Sequence, residues 1–124
     1  MAGKQKNVSF PKRGEVYLTH FDPTLGSEIK KTRPALILQN DVGNEYSSLT
    51  IVAAITSKHD DKLYPTEVRL QTPEGGLSVD SAILLSQIRS VDKKRLAKRL
   101  GNVKPSTMAQ VEKALMLSLG IIKV

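Results

Sequence analysis

Cysteine and tryptophan are both absent from this chain of 124 residues. Without cysteine there is no disulfide, no thiolate zinc site and no cysteine nucleophile. Histidine is nearly as scarce: His20 and His59 are the only two, far apart in sequence, which argues against a histidine-built metal site. Aromatics are limited to Phe10, Tyr17, Phe21, Tyr46 and Tyr64, too sparse for an extended base-stacking platform. No apolar run approaches the ~20 residues that span a bilayer. The polar, lysine-dotted start from Met1 to Pro11 has no signal-peptide core. These absences lead to the expectation of a cytoplasmic chain with no membrane segment, no metal and no cofactor. Acid is the last deficit: 12 Asp+Glu against 19 Lys+Arg leave a net charge of +7. Such an excess suits an anionic partner, nucleic acid first, and equally suits a merely soluble cationic surface.

What is present is an ordinary globular composition, 40% hydrophobic and 25% charged. The expected organisation is a flexible arm over residues 1–12 and one domain over 13–124. Residues 13–21 alternate as a strand does, with Glu15, Tyr17, Thr19 and Phe21 on one face and Val16, Leu18 and His20 on the other. Asp22-Pro23 stops that strand, and Gly26 permits a turn. Pro34 is tolerable at the start of the next strand, and Ala35 to Gln39 is apolar enough to be covered on both sides. Asn40 to Asn44 reads as a turn cluster. Leu49 to Thr56 is a third strand rich in β-branched residues, and residues 65–70 form a charged edge strand. Residues 81–85 and 87–90 read as two strands joined by a bend, and Asp92 caps a short helical turn. From about Pro105 to Leu119 the period changes: Met108, Val111, Leu115 and Leu119 recur at helical spacing. Pro105 suits the first helical position, Thr107 with Gln110 makes a capping-box pattern, and Gly120 is a natural stop. Many short strands and one final helix predict a small barrel or tightly coiled sheet.

Arg33 is the leading candidate for chemistry. It stands at the mouth of a strand, after the loop from Asp22 that ends in Ile29, Lys30 and Lys31. A guanidinium there matches phosphate through its fork of donors, or it closes the loop by an ion pair to Glu28 or Glu15. Thr56 ends the third strand beside Ser57 and Lys58; two hydroxyls and an ammonium can form a phosphate or oxyanion nest, or simply an ordinary strand end. Glu28 can orient the arginine, read a base edge, or serve only the turn. Asp60 and Asp61 are adjacent carboxylates with no second cluster to join them in a metal site. The basic run Lys93, Lys94, Arg95, Lys98, Arg99 and Lys104 can follow a nucleic-acid backbone or form a solvated face. His20 reads as a packed, hydrogen-bonded histidine rather than a catalytic one.

In chain order, Arg13-Gly14-Glu15-Val16-Tyr17, Gly26-Ser27-Glu28, Thr32-Arg33-Pro34, Gln39-Asn40-Asp41, Ala53-Ala54-Ile55-Thr56 and the run from Asp80 to Arg89 resemble the MazF/PemK family of toxin endoribonucleases from type II toxin–antitoxin modules. Each piece is weak by itself; six in family order, followed by a matching terminal helix, are specific, and they cover about Arg13 to Ile121. The resemblance implies a mainly β fold, a compact coiled antiparallel sheet related to SH3-like barrels, with a C-terminal helix. It implies a homodimer that cuts single-stranded RNA at short sequences without a metal. The products would be a 2′,3′-cyclic phosphate and a 5′-hydroxyl, and the loss of mRNA would stop translation and growth. The family's arginine and threonine fall on Arg33 and Thr56, its loop glutamate on Glu28. Ser27, Lys31, Ser57, Lys58 and Gln87 complete the expected RNA contacts. Ser27 stands where some PemK-like members carry a histidine, and Leu85 and Gln87 stand where those members use an arginine and an aspartate. That acid–base set is missing, so the chain follows the MazF-like pattern. The implied protein partner is an acidic MazE-like antitoxin, partly disordered until it binds. Two other readings share the fold or the charge: a gyrase-poisoning toxin of the CcdB type, whose C-terminal tryptophan is missing here, and a non-catalytic RNA-binding module.

Overall fold

The computed structural model describes residues 10–23, 25–28, 31–62 and 64–123. They form strands β1 (Glu15–His20), β2 (Thr32–Ile37), β3 (Leu49–Thr56), β4 (Glu67–Leu70), β5 (Ser81–Asp92) and β6 (Leu96–Asn102), with helices α1 (Asp41–Tyr46) and α2 (Pro105–Ser118). All strand pairs are antiparallel, in the order β4-β5-β3-β2-β1-β6. The expected mainly β fold with a C-terminal helix is what the chain adopts. No helix among the described residues is long and apolar enough to cross a membrane.

Alternation along the strands divides the buried side chains between two clusters. Val16, Leu36, Ala53, Ile55, Ile83 and Leu85 meet Val111 and Ala114 of α2. Phe21, Ala35, Ile37, Val52, Ala54 and Val91 form the other cluster. Strands β2 and β3 contribute to both, which is why their sequences are nearly continuous in apolar residues. Burying each large aliphatic side chain this way contributes roughly 1.5–3 kcal/mol.

Several sequence expectations are corrected. Residues 1–9 lie outside the described residues, but Pro11 is buried and the Lys12 amide donates to the Glu15 carboxylate at 2.7 Å, so the end of the expected arm is packed onto β1. Asn40 to Asn44 is not a turn but the cap and first turns of α1. The Asn40 side chain accepts from the Gly43 amide at 2.8 Å, a standard N-cap. Asn44 is fully buried; its Nδ2 donates to the Gln39 carbonyl (2.9 Å) and its Oδ1 accepts from the Thr50 hydroxyl (2.7 Å). The two expected strands at 81–90 are one strand with a bulge. Ala53 pairs with Ile88 while its neighbour Ala54 pairs with Leu84, leaving Leu85 to Gln87 out of the ladder. Strand β6 occupies the basic run, where no strand was expected. Asp92 caps as expected, its carboxylate accepting from the Lys94 amide at 2.8 Å. Pro105 opens α2, but the Thr107–Gln110 capping box does not form. Thr107 lies inside the helix, and the Glu74 carboxylate caps it from a distance, accepting from the Lys104 amide (3.0 Å) and the Thr107 hydroxyl (2.5 Å).

Replacing Asn44 by alanine strands the buried Thr50 hydroxyl and the Gln39 carbonyl. Urea denaturation of Asn44→Ala should show a loss of about 2 kcal/mol or more. A loss within about 0.5 kcal/mol, the range of a surface change, would show that this network carries no stability.

Candidate active site

Strand pairing around Arg33 is uneven, and Pro34 accounts for it. The β1–β2 ladder continues to His20–Thr32, followed by the Phe21 amide donating to the Lys31 carbonyl at 2.9 Å. The β3–β5 ladder continues to Thr56–Ala82. Between them, β2–β3 pairing stops at Ala35–Ala54. The Phe21–Lys31 bond sets the phase of the β1–β2 ladder. Hydrogen-bonded pairs alternate with non-bonded ones, so Leu18–Pro34 is a non-bonded pair and the nitrogen of residue 34 faces β3. The Leu38 amide, four positions on, does donate to Ile51 of β3 at 2.8 Å. Proline has no N–H to give there. The β2–β3 ladder therefore ends at Pro34, while the β1–β2 ladder runs on to Thr32.

Arg33 lies just past the end of that ladder on β2, and Thr56 just past it on β3. A cavity of ≈ 280 Å³ is lined by Leu18, Arg33 and Pro34 on one side and by Ile55 and Ser57 on the other, with Gly76 to Val79 and Ser81 among its other walls. A Cβ at Gly76 would collide with the Leu100 carbonyl, so this wall approaches β6 as closely as a bare backbone allows. Arg33 is half-buried. Thr56 is 8% exposed, and its hydroxyl oxygen accepts from the Lys58 amide at 3.0 Å, folding Ser57 and Lys58 back over the strand end. The two carboxylates considered as partners of Arg33 have these bonds of their own. Glu15 accepts from Arg99 Nε at 2.6 Å, and Glu28 accepts from the Leu25 amide at 2.7 Å.

The bulge in β5 builds a second cavity, of ≈ 610 Å³, between Ser27 and Glu28 of the β1–β2 loop and Ser86, Gln87, Ile88 and Arg89. The structure thus gathers Ser27, Glu28 and Gln87 in one place and Arg33 with Ser57 in the other. Thr56 and Lys58 adjoin Ser57. Lys31 stands at the neck of the loop in a left-handed conformation (φ 65°), with its amide donating to Asp22 Oδ1 at 3.0 Å. Lys30 and Ile29 lie outside the described residues.

The basic run does not form one track. Lys93 Nζ donates to the Asn44 carbonyl at 2.7 Å, Arg95 bonds to the His20 and Asp22 carbonyls, and Arg99 pairs with Glu15. His20 is exposed rather than packed, its Nδ1 2.6 Å from the Thr32 hydroxyl. Arg89 was not singled out by the sequence, yet it lines the larger cavity and sits 5.6 Å above the Phe21 ring. Its signal lay in its place two residues after Gln87 on the same strand. Burial, reinforced by the Glu15 carboxylate, raises the Tyr17 phenol above its ordinary pKa, so it stays neutral. Among the described residues, no group of three His, Asp or Glu side chains is placed to hold a metal ion.

A family model described as PemK-like, MazF-like toxin of type II toxin–antitoxin system matches residues 12–119. The chain is 31% identical to MazF from Deinococcus radiodurans, with a TM-score of 0.78 over 90% of this chain and 98% of that one. It is 28% identical to a chain of a MazE–MazF complex from the same organism, with a TM-score of 0.72 over 90% and 97% of the two chains. An endoribonuclease in complex with its cognate antitoxin from Mycobacterial species shares 24% identity and a TM-score of 0.76 over 92% and 99%. At that identity the likeness carries the fold alone.

Pro34→Ala restores a donor that faces β3. The new amide at position 34 should bond to the Ile55 carbonyl and exchange with solvent as slowly as the neighbouring ladder amides. Exchange at the rate of an unprotected loop would show that something other than the proline ends the ladder.

Proposed function

The chain belongs to the PemK-like, MazF-like toxins of type II toxin–antitoxin systems, and from that premise we propose that it is an endoribonuclease that cuts single-stranded RNA at short sequences. The observation that carries this reading is the end of the β2–β3 ladder, where Arg33 and Thr56 stand on neighbouring strands beside a cavity.

The nucleophile comes with the substrate. The RNA 2′-oxygen bonds to the adjacent phosphorus, the bond from phosphorus to the 5′-oxygen breaks, and the 2′-hydroxyl proton is lost as the departing 5′-oxygen gains one. The products are a 2′,3′-cyclic phosphate and a 5′-hydroxyl. The protein supplies alignment and charge stabilisation, and cleavage needs no metal. A guanidinium stays protonated throughout, so Arg33 serves as a cation against the charge on the pentacoordinate phosphoryl group. The Thr56 hydroxyl donates to a non-bridging oxygen. Ser57 and Lys58, folded over the strand end, extend the contact to the RNA backbone. Ser27, Glu28 and Gln87 meet splayed bases by their edges, with Lys31 adding charge at the loop neck.

The protein partner in this reading is an acidic MazE-like antitoxin, to which the +7 charge is complementary. The active species is a homodimer. Val42 and Tyr46 of α1, with Leu49 and Ile51 of β3, leave apolar surface exposed that a second copy would cover. Sedimentation equilibrium reads this directly, and a monomer at micromolar concentration would remove it.

Long single-stranded RNA incubated in excess EDTA should be cut at discrete sites sharing a short sequence, with 5′-hydroxyl ends, while the matching DNA survives. Arg33→Ala or Thr56→Ala should lower the rate by about 100- to 1,000-fold with the fold retained, as removal of one transition-state donor typically does. RNA left intact by the folded protein would turn the reading toward RNA binding without cleavage or toward gyrase. Residual activity near that of the parent in Arg33→Ala would remove Arg33 from the chemistry.

A further inference from the structure

The geometry points to Arg95 as a positioning residue that sets the RNA sequence preference by bracing the neck of the β1–β2 loop; this rests on the RNA-cleaving reading above. Arg95 Nη1 donates to the His20 carbonyl at 3.0 Å and also to the Asp22 carbonyl. Between those two, the Phe21 carbonyl accepts from Arg89 Nη1 at 3.2 Å. Three successive carbonyls at the exit of β1 are therefore held by guanidiniums, Arg89 from β5 and Arg95 from the turn that leads into β6, beside the Thr19–Leu96 pair. Among the described residues neither arginine has a carboxylate partner.

Asp22 passes the constraint into the loop. Its carbonyl is held by Arg95, and its carboxylate accepts from the Lys31 amide at 3.0 Å. The Lys31 carbonyl in turn accepts from the Phe21 amide at 2.9 Å, closing the neck. The loop tip is a separate closed turn: the Glu28 amide donates to the Leu25 carbonyl at 3.1 Å, and the Leu25 amide donates to the Glu28 carboxylate at 2.7 Å. With tip and neck each self-bonded, the orientation of the neck decides where Ser27 and Glu28 stand relative to Gln87 across the larger cavity. Arg95 lines neither cavity; it acts on the RNA only through the loop. Both bonds come from one nitrogen, so a lysine ammonium keeps the charge and the donors there but loses the reach and the fixed plane of the guanidinium.

Two measurements on the full chain test this, with Arg95→Gln and Arg95→Lys beside the parent. In hydrogen exchange without RNA, the Phe21 and Lys31 amides should exchange faster in both variants, while the β3 and β5 amides are unchanged. In cleavage of long single-stranded RNA with mapped 5′ ends, KM should rise about tenfold and kcat should stay within about threefold, as expected when the binding-competent loop is populated about one-tenth of the time. The set of cut sequences should widen, with Arg95→Lys between the parent and Arg95→Gln. The lysine variant keeps the charge and the aliphatic stem and carries the test if the glutamine variant does not fold. A lowered melting temperature with an unchanged set of cut sequences overturns the proposal. So does a fall in kcat at constant KM, or unchanged exchange at Phe21 and Lys31. If the parent cuts no RNA, the RNA-cleaving reading fails by itself, and the exchange measurement still decides whether Arg95 braces the loop.

Discussion

A missing hydrogen-bond donor at Pro34 governs the rest of the candidate site. Backbone donors and acceptors in a buried sheet must be paired, so a ladder does not stop without cause. Here the cause is local: the residue whose N–H would face β3 has none. Because the phase of the β1–β2 ladder turns that position away from β1, the proline breaks one ladder and leaves the other intact. The result is a ladder end between two strands that are each still paired on their other side, with Arg33 on one and Thr56 on the other. Such a frame suits groups that must keep fixed places, as charge stabilisation in a reaction requires.

The larger cavity depends on a second departure from regular pairing. The bulge at Leu85 to Gln87 brings Ser86 and Gln87 to the β1–β2 loop, while Leu85 stays in the core. The loop is tied to β5 and the turn after it by Arg89 and Arg95. The ladder end and the bulge lie on adjacent seams of the same sheet, one between β2 and β3, the other between β3 and β5. Strand β3 is shared by both, and Val52 to Thr56, the part between the two irregular partners, is buried throughout.

Much of this was legible in the chain. Strand β3 was read with its observed limits, Leu49 to Thr56, because a run of β-branched and small apolar residues bounded by polar ones has few other solutions. Arg33 and Thr56 stand at the strand ends that the sequence implies. Helix α1 was missed because six residues containing Gly43 and flanked or filled by asparagines have the composition of a turn; their helicity depends on the Asn40 cap and on the bonds that Asn44 makes to Gln39 and Thr50. Strand β6 was missed because an edge strand with one wet face, carrying Ala97, Lys98 and Arg99, does not alternate. Its structure comes from pairing with β1, through two register shifts that no local pattern encodes.

The sequence by itself determined the elements whose burial follows a simple period, the sign and size of the net charge, and the identity of the groups available for chemistry. Those are properties of composition and near-neighbour spacing. Tertiary structure alone decided which groups meet: that Arg95 spends its donors on the carbonyls of residues 73 and 75 positions away, that Glu74 caps α2, and that Ser27 and Glu28 face Gln87 across a cavity. The physical reason is that register and side-chain reach depend on where one ladder stops and another slips. A stop at Pro34 and a slip at Leu85 take their meaning only from the strands placed beside them.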